Sequence, residues 1–129
     1  MKEHQLSDRL VNTLARDNTK VSLGYVELRD GSAVCLAEIT VEREYLRHTF
    51  EVECGKPQSV AEVENNLVEA VDNYIGDETH LADRIADHYF RDNLDSIDIR
   101  EAIEYGEVIR DALVELKNVL KSYQTSFPV

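Results

Sequence analysis

The sequence predicts an α+β domain with an N-terminal helix, a three-stranded antiparallel meander and three helices packed on one sheet face, the last one long. Between Val21 and Cys54, apolar residues alternate with polar ones, which is typical of strands with one buried face. From Ser59 onward they recur every three or four residues, as on amphipathic helices. We expect one domain over residues 1–129, with helix and sheet in 1–56 and an acidic helical part in 57–129.

The first half of the chain contains one helix and three strands. An apolar stripe predicts a helix over Glu3–Arg16. Strands are expected over Val21–Leu28, Ala33–Glu42 and Leu46–Cys54. The Asp30-Gly31 pair indicates a tight hairpin, because glycine tolerates the positive φ that such turns require. The second strand has apolar residues on both faces and is therefore predicted to be central.

Two shorter helices follow the sheet. Ser59 and Glu62 form a capping-box pattern at the start of the first one, and Gly76 is its expected end. The second is predicted over Glu78–Phe90. We find no internal repeat and no linker long enough to separate another domain.

The last helix is predicted over Ile97–Tyr123, with Asp95 or Ser96 as its N-cap. At 1.5 Å per residue it is about 40 Å long, so part of it overhangs the core or pairs with another chain. Its apolar face consists of one row at alternating steps of three and four residues and a second, shorter row. The first row is Ile99, Ala102, Gly106, Ile109, Leu113, Leu116, Leu120 and Tyr123, and the second is Ile103, Ala112 and Val119.

Four residues on inward positions have specific expected environments. Gly106 costs about 1 kcal/mol inside a helix relative to alanine, so we expect a second backbone to approach it closely. His48 is expected to be a hydrogen-bonded neutral histidine on the core side of its strand. Cys35 and Cys54 are expected to be buried thiols that fill core space and not a disulfide framework.

The net charge of −12 is concentrated in the helical part of the chain. Residues 1–56 hold ten acidic and eight basic residues, whereas residues 57–116 hold sixteen and four. A negative field of this kind repels phosphates and anionic lipids, which argues against direct nucleic-acid or membrane binding. No secretory signal and no apolar run of membrane-spanning length is present, and we expect a cytoplasmic protein.

Two clusters contain residue types that bind metals, and neither has the spacing that a metal site requires. His80, Asp83, Asp87 and His88 lack the i, i+4 histidine spacing of helical zinc sites, and we expect Arg84 to pair with a nearby aspartate. The alternative of a Mg²⁺ site, as in helical nucleotide pyrophosphohydrolases, needs carboxylates that converge from two helices. The candidates for it face away from the apolar row, so we expect no enzyme, metal or cofactor. These candidates are Glu101, Glu104, Glu107 and Asp111.

Dense surface carboxylates on the helices are the strongest functional signal. In this property the chain resembles small acidic phage-encoded mimics of nucleic acid that inhibit restriction or CRISPR nucleases. The resemblance implies a basic protein surface as partner, such as a nuclease or another nucleic-acid-binding complex. The predicted partner-binding residues are Glu64, Glu69, Asp72, Asp77, Glu78, Asp83, Asp87, Asp92, Asp95, Asp98, Glu101 and Glu104.

Two alternatives are also compatible with the sequence, a secretion chaperone and an acidity that has no binding role. Length, acidity and the opening order of helix and strands are similar to those of type III secretion chaperones, acidic dimers that bind an effector segment. Those chaperones return to strands after their middle helix, whereas this chain is predicted to be helical from Ser59 onward. The acidity could instead serve only solubility. A homodimer through the exposed apolar end of the last helix is also expected.

Overall fold

The computed structural model describes residues 5–125 and confirms the predicted α+β fold. Ser7 caps the first helix through a hydrogen bond from the Leu10 amide to its hydroxyl oxygen (3.3 Å), so the helix begins at Asp8; the predicted start, Glu3, lies outside the described residues. The elements are α1 (Asp8–Arg16), β1 (Thr19–Glu27), β2 (Ala33–Arg43), β3 (Leu46–Gly55), α2 (Val60–Ile75), a 3₁₀ turn (Glu78–His80), α3 (Leu81–Asp92) and α4 (Ile99–Thr125).

The three strands form an antiparallel meander in the order β1-β2-β3, with β2 central as predicted. The β1–β2 hairpin closes where the sequence predicts it, with Gly31 at φ +84° and the Ser32 amide donating to the Asp30 carboxylate (2.9 Å). Alternate residues of each strand point to one face, which α1, α2 and α4 cover, while α3 packs on α4. The other face of the sheet is open to solvent.

The caps of α2 also match the prediction. The Glu62 amide donates to the Ser59 hydroxyl (3.2 Å), while the Glu62 carboxylate accepts from the Gln58 amide rather than from Ser59. Gly76 ends the helix at φ +58°. Cys35 and Cys54 are buried free thiols in the core, also as predicted. Burial raises the pKa of Cys54 to about 12, so its sulfur stays protonated.

The start of α4 differs from the prediction. Residues 93–96 form a turn closed by a bond from the Ser96 amide to the Asn93 carbonyl (3.0 Å), so neither Asp95 nor Ser96 caps the helix. The cap is Asp98, whose carboxylate accepts from the Glu101 amide (3.0 Å). The helix therefore begins at Ile99 and not at Ile97.

The first turns of α4 extend past the core, and two residues of its predicted apolar face are consequently exposed. Ile99 and Ile103 keep 63% and 49% of their surface accessible, as expected for the part of the helix that overhangs the core. From Ala102 to Tyr123 the apolar face is otherwise buried against α1, α2, α3 and the sheet, with Val119 only partly so. The sequence predicts that part of this long helix either overhangs the core or pairs with another chain. Within the chain, the first turns overhang the core.

The close backbone approach expected at Gly106 is present. A Cβ atom built on Gly106 would lie 2.3 Å from the Ala82 carbonyl oxygen and 2.8 Å from the Ala86 Cβ, both on α3. Next to this contact, the rings of Tyr89 and Tyr105 stack with centroids 3.8 Å apart. The glycine thus allows α3 and α4 to pack with their backbones almost in contact.

We expect Gly106→Ala to lower the free energy of unfolding by about 2 kcal/mol or more, because the added methyl group overlaps backbone atoms of α3. The sign of this change is informative, since glycine-to-alanine substitution in an unobstructed helix raises the free energy of unfolding by about 1 kcal/mol. Urea denaturation followed by circular dichroism measures the difference. Gly24→Ala is the control, because its Cβ would meet nothing within 4 Å. Equal or higher stability of Gly106→Ala would contradict the packing described.

Candidate acidic interface

One of the twelve predicted interface residues is buried. Glu64 on α2 is 2% exposed, so the expectation that it lies on the surface is wrong. Its carboxylate accepts hydrogen bonds from the Ser7 amide (3.0 Å) and the Tyr123 hydroxyl (2.8 Å). The ends of α1 and α4 cover this part of α2, and the carboxylate joins the three helices. Glu64 is therefore a structural residue.

Three of the predicted carboxylates form ion pairs with lysine or arginine, and two more contact a histidine ring. Lys117 on α4 lies between two of them, which links α4 to α2 and to the 3₁₀ turn. The others pair within one helical turn, a geometry of small net energy on an exposed surface. The pairs are Asp72 with Lys117 (3.4 Å) and Lys121 (3.8 Å), Glu78 with Lys117 (2.9 Å), Asp77 with His80 (3.9 Å), Asp87 with Arg91 (3.3 Å) and Asp92 with His88 (3.3 Å).

The six remaining carboxylates are exposed and have no ion pair with another described residue. Asp98 caps α4, and the other five have no structural role of that kind. Most of the six belong to α3, to α4 or to the connection between them. They are Glu69, Asp83, Asp95, Asp98, Glu101 and Glu104.

A continuous row of acidic residues lies on the solvent side of α4, and we call it the outer stripe. Its members are spaced by three or four residues, so they follow one side of the helix for about 21 Å. Asp111 contacts Arg110 (3.0 Å) and Glu115 contacts Arg43 (3.5 Å), which leaves the first three carboxylates without a described basic partner. The outer stripe consists of Glu101, Glu104, Glu107, Asp111 and Glu115.

An exposed apolar patch lies at the same end of α4. Leu94 is 60% exposed, and Ile99 and Ile103 follow each other one turn apart on the helix. Leu94 lies in the turn between α3 and α4, five residues before Ile99. We call these three residues the terminal patch. The two isoleucines at i and i+4 can be read from the sequence, but their exposure cannot.

The histidine and aspartate cluster of α3 does not converge. His80 belongs to the 3₁₀ turn, and within residues 5–125 no group of three or more His, Cys, Asp or Glu side chains is arranged to hold a metal ion. Arg84 does not pair with an aspartate, contrary to expectation. Its guanidinium donates to the carbonyls of Tyr74 (2.8 Å) and Ile75 (2.9 Å), because the last carbonyls of α2 lack helical partners.

A second acidic area, absent from the sequence prediction, lies on the open face of the sheet. Glu38 on β2 and Glu51 on β3 are direct cross-strand partners, and Glu53 is opposite Leu36. Like charges directly opposite each other in a sheet are destabilising. The alternation of β2 and β3 places all three glutamates on outward positions, so the sequence contained the signal.

His48 is held by two tyrosines on the core side of β3, as predicted for a hydrogen-bonded histidine. The Tyr105 hydroxyl donates to the Arg47 carbonyl (2.8 Å), so its oxygen accepts from His48 Nδ1–H (3.0 Å). The Tyr74 hydroxyl in turn donates to His48 Nε2 (3.0 Å). Burial lowers the pKa of His48 to about 4, with a smaller decrease from His88. The imidazole is therefore neutral near pH 7.

We expect the protein to lose stability as the pH falls from 6.5 to 5, by up to about 1.4 kcal/mol per pH unit from His48 alone. In this range the unfolded histidine binds a proton and the folded one does not, so acid favours unfolding. Urea denaturation at several pH values measures the slope. His48→Gln is expected to flatten the slope, and His80→Gln, at an exposed histidine, is expected to leave it unchanged. Equal slopes in wild type and His48→Gln would contradict this assignment.

No protein-family model matches this chain, and no curated protein or solved structure matches it. Over residues 5–125, no helix is both long and apolar enough to cross a membrane. The basis for a functional proposal is therefore the protein surface, which combines the outer stripe of α4 with the terminal patch beside it.

Proposed function

We propose that this chain is a non-enzymatic binding protein, a phage-type mimic of nucleic acid that blocks the basic nucleic-acid-binding surface of a host defence protein. The observation that carries the proposal is the outer stripe, in which Glu101, Glu104 and Glu107 have no basic partner among the described residues. They place one carboxylate about every 5 Å along the helix axis. This density is of the same order as one phosphate per about 3.4 Å on a DNA strand.

The charge placement favours a local interface over a general solubilising effect. Asp72 on α2 and Asp87 on α3 are offset by lysine or arginine, whereas Glu101, Glu104 and Glu107 on α4 have no ion pair with a described residue. A patch of one sign accelerates association with an oppositely charged surface and makes binding salt-dependent. Nucleic-acid channels of nucleases are basic surfaces of this kind.

The terminal patch gives this surface an apolar anchor. Interfaces gain most of their affinity from a few central apolar residues surrounded by a polar rim. Leu94, Ile99 and Ile103 have Asp95, Asp98 and the outer stripe as neighbours in sequence and along the helix. We assign the patch to the basic partner and not to the homodimer expected from sequence, because two copies meeting here would oppose like charges.

The test removes charge from the outer stripe without changing its shape. Glu101→Gln, Glu104→Gln and Glu107→Gln together are expected to weaken binding to the target nuclease by about tenfold or more at low salt. The measurement is inhibition of DNA cleavage by a panel of restriction and CRISPR nucleases, with the affinity for the inhibited enzyme followed against salt concentration.

A matched control is available on the open face of the sheet. Glu38→Gln, Glu51→Gln and Glu53→Gln together change the net charge by the same amount at another surface, and are expected to leave inhibition unchanged. An equal loss of inhibition in both triple variants would mean that binding depends on net charge alone. Inhibition that resists high salt, or no inhibition of any nuclease, would count against the proposal.

A further inference from the structure

The turn that joins β2 to β3 is made of residue types that its backbone conformation disfavours. Arg43 and Leu46 are cross-strand partners, and the two residues between them have positive φ angles, +49° at Glu44 and +75° at Tyr45. We call Glu44 and Tyr45 the hairpin tip. Two-residue turns with positive φ at both positions strongly prefer Asn-Gly or Asp-Gly. For a bulky residue this conformation is strained, because the Cβ atom crowds the following carbonyl oxygen.

All other positive φ angles in residues 5–125 belong to suitable residue types. Three of these residues are glycines, and the fourth is Asn18, whose short polar side chain tolerates a left-handed backbone. The β1–β2 hairpin of the same sheet turns at Asp30-Gly31, as such a turn requires. The strain is therefore specific to the hairpin tip, and backbone outliers of this kind concentrate at functional sites.

The tyrosine at this strained position contributes little to the packing of the chain. Tyr45 is fully exposed, and its side chain forms no hydrogen bond and no ring contact with another described residue. Glu44 beside it is also exposed and has no ion pair within residues 5–125. The hairpin tip thus presents one aromatic ring next to one negative charge.

The residues below the hairpin tip hold it in place. The Arg47 guanidinium donates to the Glu42 carboxylate through both Nε (3.1 Å) and Nη2 (2.8 Å). Arg43 donates to the Glu42 carbonyl (2.7 Å) and to the buried carboxylate of Asp17 (3.0 Å), at the end of α1. An exposed side chain on a fixed backbone loses less entropy on binding than one on a mobile loop.

The same arginine connects the hairpin to the outer stripe. Arg43 Nη2 lies 3.5 Å from the carboxylate of Glu115, which is the last member of the outer stripe. Tyr45 is only two residues away from Arg43, so the hairpin tip adjoins one end of this acidic row. A partner that binds the outer stripe therefore has the exposed ring close to its contact surface.

A ring beside a row of carboxylates reproduces two groups of a nucleotide strand. Proteins that bind single strands combine basic residues for the phosphates with aromatic side chains on which the bases stack. Enzymes that act on a flipped base have a pocket of the same character. Proteins that read only duplex DNA need no such pocket, because the bases they contact remain stacked.

We propose that Tyr45 stacks in the base-binding pocket of the target, and that the target is a nuclease that binds unstacked bases. The outer stripe then takes the place of the phosphates and Tyr45 the place of one base. This inference rests on the proposed function, of which it specifies the partner.

The first test changes the ring. Tyr45→Ala is expected to weaken inhibition of the target nuclease about tenfold, which is the order of effect of removing one base-stacking side chain. Tyr45→Phe keeps the ring and is expected to inhibit within about twofold of wild type. Leu28→Ala, at an exposed apolar residue beside the other hairpin, is the control and is expected to inhibit as wild type does.

The second test relieves the strain and needs no target. Glu44→Asn combined with Tyr45→Gly gives the turn its preferred residues, and is expected to raise the urea midpoint of unfolding, with an unfolding equilibrium constant about tenfold smaller. The same variant is expected to inhibit as weakly as Tyr45→Ala. Unchanged or lower stability would mean that the hairpin tip is not strained, and would overturn the inference.

Competition identifies the class of target. Single-stranded DNA is expected to displace the protein from the inhibited nuclease more effectively than a duplex of the same length. Competition by the duplex alone would overturn the inference. So would full inhibition by Tyr45→Ala when the Glu101→Gln, Glu104→Gln and Glu107→Gln variant has lost it, and that result would leave the proposed function in place. No inhibition of any nuclease would overturn both.

Discussion

Burial of one face of α4 is the constraint on which the rest of the structure depends. The helix contacts α1, α2, α3 and two strands, so one face of it is covered along most of its length. Each neighbour requires a different residue type, such as a glycine facing α3 and a lysine facing the acidic end of α2. The side opposite the core is free of such demands. Charge can therefore accumulate there without loss of packing, and the outer stripe occupies that side.

Much of this fold could be predicted from local patterns. Alternation identifies the strands, three–four spacing identifies the helices, and Asp30-Gly31 and Gly76 end elements where expected, because these signals arise within a few residues. Gly106 is a more demanding case. Its position on an otherwise apolar face implied a close neighbour, and the contact with α3 confirms the physical argument although the sequence does not identify the partner helix.

The candidate site was less predictable because its properties depend on contacts distant in sequence. Ile99 and Ile109 occupy similar positions in the spacing, but only Ile109 is buried, since α4 extends past the core at its start. Glu64 resembles an exposed helical glutamate until the ends of α1 and α4 close over it. Lys117 likewise offsets Asp72 and Glu78 across more than thirty residues of sequence, so a count of acids overestimates the charge of α2.

The charge of this chain places opposite demands on partner binding and on self-association. The outer stripe attracts a basic surface, whereas two copies of a chain that carries −12 repel each other. Salt screens the attraction between the outer stripe and a basic surface, which weakens that contact. It also screens the repulsion between two copies of the chain. Ionic strength therefore acts on partner binding and on self-association in opposite directions.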